Sequence, residues 1–498
     1  DDVGVVIDSG RVKEERYLVE RRMGSLEDVW VSRASAKQRR GRAGRVQEGI
    51  AFHLFPSDAP LQAYTDPEVR RVALEQLVLR TKALNLPGSA AAVCARLPEP
   101  PAPVAVASAV VTLVGIGALS NSEKLTPLGQ LLIRLPVDVH LGKLILYGVC
   151  FGAADEALTM AAALASRSPF LMPMERREQA DRSKKRFTLL QSDHLAVLNA
   201  YNQFDSLRKE ERFAFARERF LGIKTLQQIG QLKRQLLESL SHAGIVPPGM
   251  RSSGIEAAGR RKDGTDGVRV SINQEGRPST ELLAGLLCAG LWPSVAVVNA
   301  PKTKKGKDNS QHVKLLTRNA DFLSPEPEEA SVHPSSVNSK LNGADFISPY
   351  VVFHERVQTT KIYIRDCSPV PPLAILLFGG GQLVKGPGGL LTVDDWLGIT
   401  VPPSEVQQIV DLRERLDDVL NRMLHRRAGD YGGSEHLPLI DALSALVEAR
   451  VSEPEVVVKK PVAKKKGNAP PQKRAPPKNS SKKSPEKKGW TTQKKKWF

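Results

Sequence analysis

Residues 456–498 limit the fold first, because they cannot join a packed core. They hold 15 Lys or Arg and one acid, Glu486, interrupted by Pro, Ser and Gly. A Lys/Pro/Ser segment of this kind buries too little apolar surface to offset the entropy of ordering it. It also holds +14 of the formal net charge of +18. The other 455 residues are therefore close to neutral, and an anion-binding site among them must be a local patch.

Those residues suffice for about three or four domains. The opening "VGVVID" reads as a buried strand of the parallel type. That pattern is in progress from the first residues, so an incomplete N-terminus is expected. Residues 11–32 read as a charged hairpin with Met23-Gly24-Ser25 near its tip, and "GIAFHLF" (49–55) as a strand. Residues 66–86 show helical spacing through Val69, Val72, Leu77 and Leu84. After the Pro-rich break at 96–104 come a helix ending at a glycine, a tight hairpin "SNSEKLT", and a second helix with Pro127 near its start. Helix, helix and short wing outline a winged helix. Residues 137–246 are almost all helical in pattern. Leu226, Ile229, Leu232, Leu236 and Leu240 form one face of the last helix, and Gly244 closes it.

Residues 251–267 are polar and Gly-rich, hence a loop or insertion. From about 281 the segments "VAVVNAP", "HVKLLTR", "YVVFHERV" and "KIYIRDCS" predict short strands of a small barrel. An amphipathic helix at 404–425 follows, through Val406, Ile409, Leu416, Val419, Leu420 and Met423. The fold class is multidomain: α/β, then all-α, then all-β, then the basic tail.

Cys94, Cys150, Cys288 and Cys367 form no CxxC pair, which points to buried thiols in a reducing compartment. No apolar run approaches the ~18 residues of a membrane span. His140, Asp193 and His194 lack metal-ligand spacing and read as core or solvated groups, so no metal site is expected.

The chemistry concentrates in "QRRGRAGR" (38–45). Arg42 and Arg45 lie three apart, each preceded by a glycine, Gly41 and Gly44. Arginine offers phosphate a permanent charge and a bidentate fork, and glycine lets the backbone come close to a ligand. A neutral amide, Gln38, can orient a water molecule. A solvated basic loop is the plain alternative.

This octet resembles the last helicase motif of superfamily 2, Q-R-x-G-R-x-G-R, and with its surroundings resembles the DEAH/RHA family of ATP-dependent RNA helicases. The resemblance implies a place in the second RecA-like domain, facing ATP held by the first. Gln38 would position water, and Arg42 and Arg45 would act as arginine fingers. Asp1, Gly41 and Gly44 would border the nucleotide, Asp1 near the ribose. The hairpin 11–30 would correspond to the family's strand-separating hairpin. "GALSNSEKLTPLGQLLIRLPVDVHLGKLIL" resembles the family's winged-helix end and the start of its helical ratchet domain. "FHERVQTTKIYIRDCSPVPPLAILLFGG" resembles its OB-fold. "LTVDDWLGI" is similar to the longer RHA-like subgroup.

The implied domains are the end of a RecA-like domain (1–65), winged helix (66–136), ratchet (137–248), linker (249–280), OB-fold (281–400), C-terminal helices (401–451) and a disordered tail (452–498). On the OB-fold, His354, Arg356, Thr360, Lys361 and Arg365 are candidate RNA contacts. Strand alternation predicts that His354 and Arg356 share a face, as do Lys361, Tyr363 and Arg365. The basic loop 302–307 and the tail could add phosphate contacts, with Trp490 and Trp497 available to stack on bases.

Neither G-x-x-x-x-G-K-[ST] nor Asp-Glu-x-His occurs in the chain. Nothing in it would cradle a β-phosphate or hold Mg²⁺, so no ATP hydrolysis is expected from it alone. The expectation is the C-terminal portion of a 3′→5′ RNA helicase, using ATP and Mg²⁺ when complete. RNA would be its partner, with a protein activator or ribonucleoprotein as a further one and no membrane. The compartment would be cytoplasmic, nuclear or nucleolar. A non-catalytic RNA-binding adaptor is the rival expectation.

Overall fold

The computed structural model describes residues 3–18, 23–246, 278–299, 313–318, 327–359, 361–425 and 456–458. Asp1, Thr360, the loop 302–307 and most of the expected linker and tail lie outside the described residues.

Strand β1 (Val5–Asp8) pairs in parallel with β4 (Ile50–His53). Parallel pairing agrees with the sequence reading, but burial does not. The register sets Val5 beside Ile50 and Ile7 beside Phe52, and these four side chains are 53–68% exposed. Between β1 and β4 comes a hairpin, β2 (Arg11–Leu18) and β3 (Met23–Trp30), in register from Arg11↔Trp30 to Leu18↔Met23. Met23, Gly24 and Ser25 begin β3 at the tip end of the hairpin, near the tip as expected. β3 runs through Val31 into α1 (Arg33–Arg40).

The helix expected over 66–86 is broken. A 3₁₀ turn at Glu68–Arg70 precedes α2 (Glu75–Ala83). The hairpin takes the intervening backbone: the Arg71 carbonyl accepts from the Tyr17 N–H at 2.9 Å, and the Arg71 guanidinium pairs with Glu14 at 3.1 Å. The winged-helix pattern follows as read. After α3 (Ala90–Cys94), α4 (Pro103–Ile116) ends at Gly117, whose φ of 87° favours glycine. A one-bridge wing joins Leu119 to Leu125, and the Thr126 hydroxyl caps α5 (Pro127–Leu132).

Six helices make the ratchet: α6 (Val139–Cys150), α7 (Ala154–Leu164), α8 (Arg177–Phe187), α9 (Asp193–Asp205), α10 (Lys209–Glu218) and α11 (Ile223–His242). α11 buries the face predicted for it, with one change. Leu232 is only partly covered, while Lys233 is buried and pairs with Asp155 of α7 at 2.5 Å.

Residues 280–291, expected to open the barrel, form a helix, α12 (Thr280–Leu291), packed on α6. Gly290 permits the approach, since a Cβ there would sit 2.7 Å from the Leu144 Cβ. The barrel proper is β5 (Val295–Asn299), β6 (Lys314–Thr317), β7 (Glu328–Val332), β8 (Tyr350–Gln358) and β9 (Ile362–Pro369). It closes in the order β8-β5-β6-β7-β9-β8, the connectivity of an OB-fold. β7, "EEASV", was not foreseen, because only the small Ala330 and a partly covered Val332 turn toward the barrel core. One core cluster fills the barrel, and another runs from the winged helix through the ratchet to the C-terminal elements.

Beyond the barrel, α13 (Pro372–Phe378) leads to β10 (Leu383–Lys385), β11 (Leu390–Val393) and β12 (Leu397–Thr400), then α14 (Val406–His425). Residues 383–400 thus form a sheet separate from the barrel. Its fourth strand is β13 (Val456–Val458), so the segment expected to be a tail from 452 contributes structure at its start. All four cysteines are buried free thiols. Among the described residues no helix is long and apolar enough to cross a membrane.

Candidate functional site: the arginine turn and the barrel edge

The Ser32 hydroxyl caps α1 by accepting from the Ser35 N–H at 3.1 Å. The Arg33 and Ala34 N–H groups donate to the carbonyls of Gln62 and Ala63, at 2.8 and 3.1 Å. The start of α1 is therefore satisfied within the chain. Its other end carries Gln38, exposed in the last turn, then Gly41, Arg42, Gly44 and Arg45, all exposed in the turn that follows. Ala43 is buried and anchors that turn: a Cβ on Gly49 would lie 2.1 Å from the Ala43 carbonyl oxygen. The Arg42 side chain makes no hydrogen bond or ion pair among the described residues. Gly41 has an ordinary φ of −66°, and a Cβ on Gly44 would meet nothing within 4 Å. Neither backbone strain nor packing within the chain calls for glycine at 44, so what Gly44 leaves is open space over the turn.

Arg39 faces the other way. Its Nη1 donates to Asp8 Oδ1 at 2.9 Å and to the Arg11 carbonyl at 3.3 Å. The Asp8 carboxylate is 1% exposed and also accepts from the Gly10 N–H at 2.9 Å. The sequence reading missed this pair; its signal was an acid ending an apolar strand. Beneath the hairpin lies a cavity of about 430 Å³ whose walls include Lys13, Arg16, Trp30, Ser35, Arg39 and Arg71. Glu14 takes up two of these cations, Arg16 at 3.2 Å and Arg71 at 3.1 Å.

On the barrel, His354 and Arg356 do not share a face. Arg356 is buried, with Nη1 3.4 Å from Thr317 Oγ1 and 3.6 Å from Glu328. His354 is half-buried toward Asp138 and His140 at the start of α6, and burial lowers its pKa. Alternation fails where the β8–β9 ladder skips a pair, between Phe353↔Cys367 and Glu355↔Arg365, and there Asp366 has a left-handed φ of 48°. Cys367 and Ile364, on either side of it, both face the barrel core. Lys361, Tyr363 and Arg365 do lie outward. Tyr363 meets His333 edge-on at 5.6 Å between centroids, and Arg365 pairs with Glu355 at 3.3 Å.

Asp193 and His194 hold the ratchet to the barrel. Asp193 accepts from Lys184 (3.0 Å), Ser336 (2.5 Å), Val337 N–H (3.0 Å) and Cys367 N–H (3.1 Å). Burial pushes its pKa up, but Lys184 and the donated hydrogen bonds outweigh that and hold it below the ordinary value. His194 Nδ1 lies 2.6 Å from Ser368 Oγ, and burial drives its pKa down to about 3. Among the described residues no His, Cys, Asp and Glu group could hold a metal ion.

Three family models match the chain. The helicase-associated (HA2) winged-helix model covers residues 109–137, the HA2 ratchet-like model 138–197, and the oligonucleotide/oligosaccharide-binding (OB)-fold model 283–382. Among curated proteins, DHX57 of Mus musculus is 42% identical over 84% of this chain and 31% of its own length. The DExH-box ATP-dependent RNA helicase DExH1 of Arabidopsis thaliana is 36% identical over 85% of this chain and 39% of its own. The ATP-dependent DNA/RNA helicase DHX36 of Mus musculus is 34% identical over 85% and 40%. The chain thus spans well under half the length of these relatives.

Proposed function

From a chain that carries the winged-helix, ratchet and OB-fold modules of the DExH/DEAH-box RNA helicases, we infer the C-terminal portion of an ATP-dependent 3′→5′ RNA helicase. The observation that carries this reading is the arginine turn. Arg42 follows the end of α1 and has no side-chain partner among the described residues, beside a Gly44 that leaves room for a ligand. That arrangement fits the outer edge of a triphosphate, which bound ATP would supply as the hydrolysable anhydride.

In the proposed mechanism the chain contributes charge and position. Arg42 and Arg45 offer guanidiniums to the oxygens on which charge grows, a contribution of roughly 10³–10⁵ in rate for an arginine finger. Gln38, in the preceding helical turn, can hold a water through its amide. Gly41 and Gly44 keep side chains away from the phosphates. Asp1 is proposed for the ribose on resemblance alone. Mg²⁺ finds no ligand set among the described residues, and no step is assigned to it on this chain. RNA is proposed to run along the outward barrel face, where Lys361 and Arg365 supply cations and Tyr363 a stacking surface. Thr360, between β8 and β9, stays in this proposal. Arg356 and His354 would act by shaping the barrel and its seam with α6.

The test is Arg42→Ala and Arg45→Ala in a polypeptide that joins this chain to a P-loop domain. RNA-stimulated ATPase should fall at least ~10³-fold, with nucleotide-free RNA affinity unchanged. Loss of RNA binding with intact ATPase would make the turn a basic RNA-binding loop instead. The rival reading is a non-catalytic RNA-binding adaptor, a protein that would have no use for a P-loop or an Asp-Glu-x-His box. Encoded sequence upstream of Asp1 that carries both motifs would decide against the adaptor.

A further inference from the structure

Within the 38–45 octet, Arg39 reaches across to another element and closes an ion pair there. Its guanidinium spans two contacts, Asp8 Oδ1 at 2.9 Å and the Arg11 carbonyl at 3.3 Å. Those partners sit at the end of β1 and the start of β2, so one side chain ties α1 to the parallel sheet and to the hairpin together. Asp8 cannot turn away. Its side chain is 1% exposed, and Oδ1 is also held by the Gly10 N–H. Gly10 is fixed in turn, with a φ of 71° and a would-be Cβ 2.4 Å from the Phe55 ring. A buried carboxylate that keeps a charged partner is costly to leave unpaired, so the pair sets an angle rather than merely adding a contact. Gln38 precedes Arg39, and Arg42 follows it by about one turn. Any roll of α1 about its axis moves both.

We propose that Asp8 is a positioning residue. Acting through Arg39, it fixes the roll of α1 and hence the direction in which Gln38 and Arg42 meet the nucleotide. This rests on the nucleotide-facing reading given above. The experiment compares Asp8→Asn, Arg39→Lys, Arg39→Gln and Arg42→Ala in the intact helicase, with kcat and KM for ATP, RNA affinity and thermal midpoint for each. Asp8→Asn and Arg39→Gln should each lower kcat roughly 10- to 100-fold, the cost of misplacing a catalytic group by about 1 Å. KM for ATP and RNA affinity should stay within about twofold. Arg39→Lys, which keeps a cation beside Asp8, should retain most of kcat. A purely structural pair would lower the midpoint without this split between kcat and KM. If Asp8→Asn does not fold, the two Arg39 variants decide, and equal kcat in them overturns the proposal. Wild-type kcat in Asp8→Asn beside a dead Arg42→Ala overturns it too, and leaves the nucleotide reading standing. An active Arg42→Ala instead overturns the nucleotide reading itself.

Discussion

Ser25 of the hairpin and Gln358 of the barrel are ladder partners in one continuous seven-stranded sheet. The pairing is parallel and short, Gly24↔Val357 and Ser25↔Gln358, at the far end of β3 from α1. The strand that leads into the arginine turn therefore also extends the sheet of the barrel, at β8.

That register makes a first prediction. Neighbouring strands lie about 4.8 Å apart, and ladder partners project to the same side, within reach of a disulfide. Ser25→Cys with Gln358→Cys should crosslink under mild oxidation, read by non-reducing electrophoresis and peptide mapping. The four native thiols are buried and should not compete. Shifting one partner to Glu355 should abolish the crosslink. Equal crosslinking at 355 and 358 would show that the hairpin is not held in this register.

The second prediction concerns Lys233 and Asp155, paired at 2.5 Å in the ratchet core with both side chains at most 4% exposed. Lys233→Met strands the Asp155 charge and should cost about 3–5 kcal/mol, read by denaturant unfolding of the folded unit. Adding Asp155→Leu removes that charge and should recover most of the loss. A double variant no better than the single one would mean that Lys233 acts by packing alone.

These two cases show where sequence reasoning held and where it stopped. Repeating apolar spacing exposed α4, α11 and α14, because helical burial is a local pattern. It placed Leu232 in the core instead of Lys233, because a buried cation depends on Asp155, 78 residues away in the sequence. The barrel strands β5, β6, β8 and β9 were legible from β-branched runs, whereas β7 was too polar. The arginine turn was legible as a motif. Its restraint by Asp8 was not, since that pairing is tertiary. Nor could alternation foresee the left-handed Asp366 or the inward Arg356.

Asp366 carries the third prediction. Burial, with Asp193 nearby, pushes its pKa up to about 6. A carboxyl raised above its unfolded value binds its proton more tightly when folded. Native stability therefore falls as pH rises from about 4 to 6, and the deficit is complete above that. Asp366→Asn removes the charge, and asparagine tolerates the left-handed φ. The variant should unfold at a higher midpoint than wild type at pH 7.5, by up to about 2–3 kcal/mol, since each pKa unit is worth about 1.4 kcal/mol. At a pH of about 3.5, below the unfolded value, the two should converge. A pH-independent difference would show that ionisation of Asp366 does not set the gap.

The last prediction separates the tail from the fold. Val456–Val458 complete the C-terminal sheet, so a cut near Arg450 would remove a strand. A chain ending at Lys460 keeps it, and also keeps the compact unit that runs from Asp1 to Lys460. Its unfolding midpoint should match that of the whole chain. Residues 461–498 still carry 13 Lys or Arg against Glu486. If RNA is the partner, each phosphate neutralised on a single strand adds about −0.7 to the slope of log K against log salt. Engagement of about five tail cations at once would then flatten the slope by roughly 3–4 on truncation. The residual binding should come from the barrel face, where Lys361 is exposed and Arg365 is shared with Glu355, and it should depend less on salt. The measurement is a salt titration of both chains against one labelled single-stranded RNA. Equal slopes would mean that the tail does not touch RNA and that the near-neutral folded unit binds unaided.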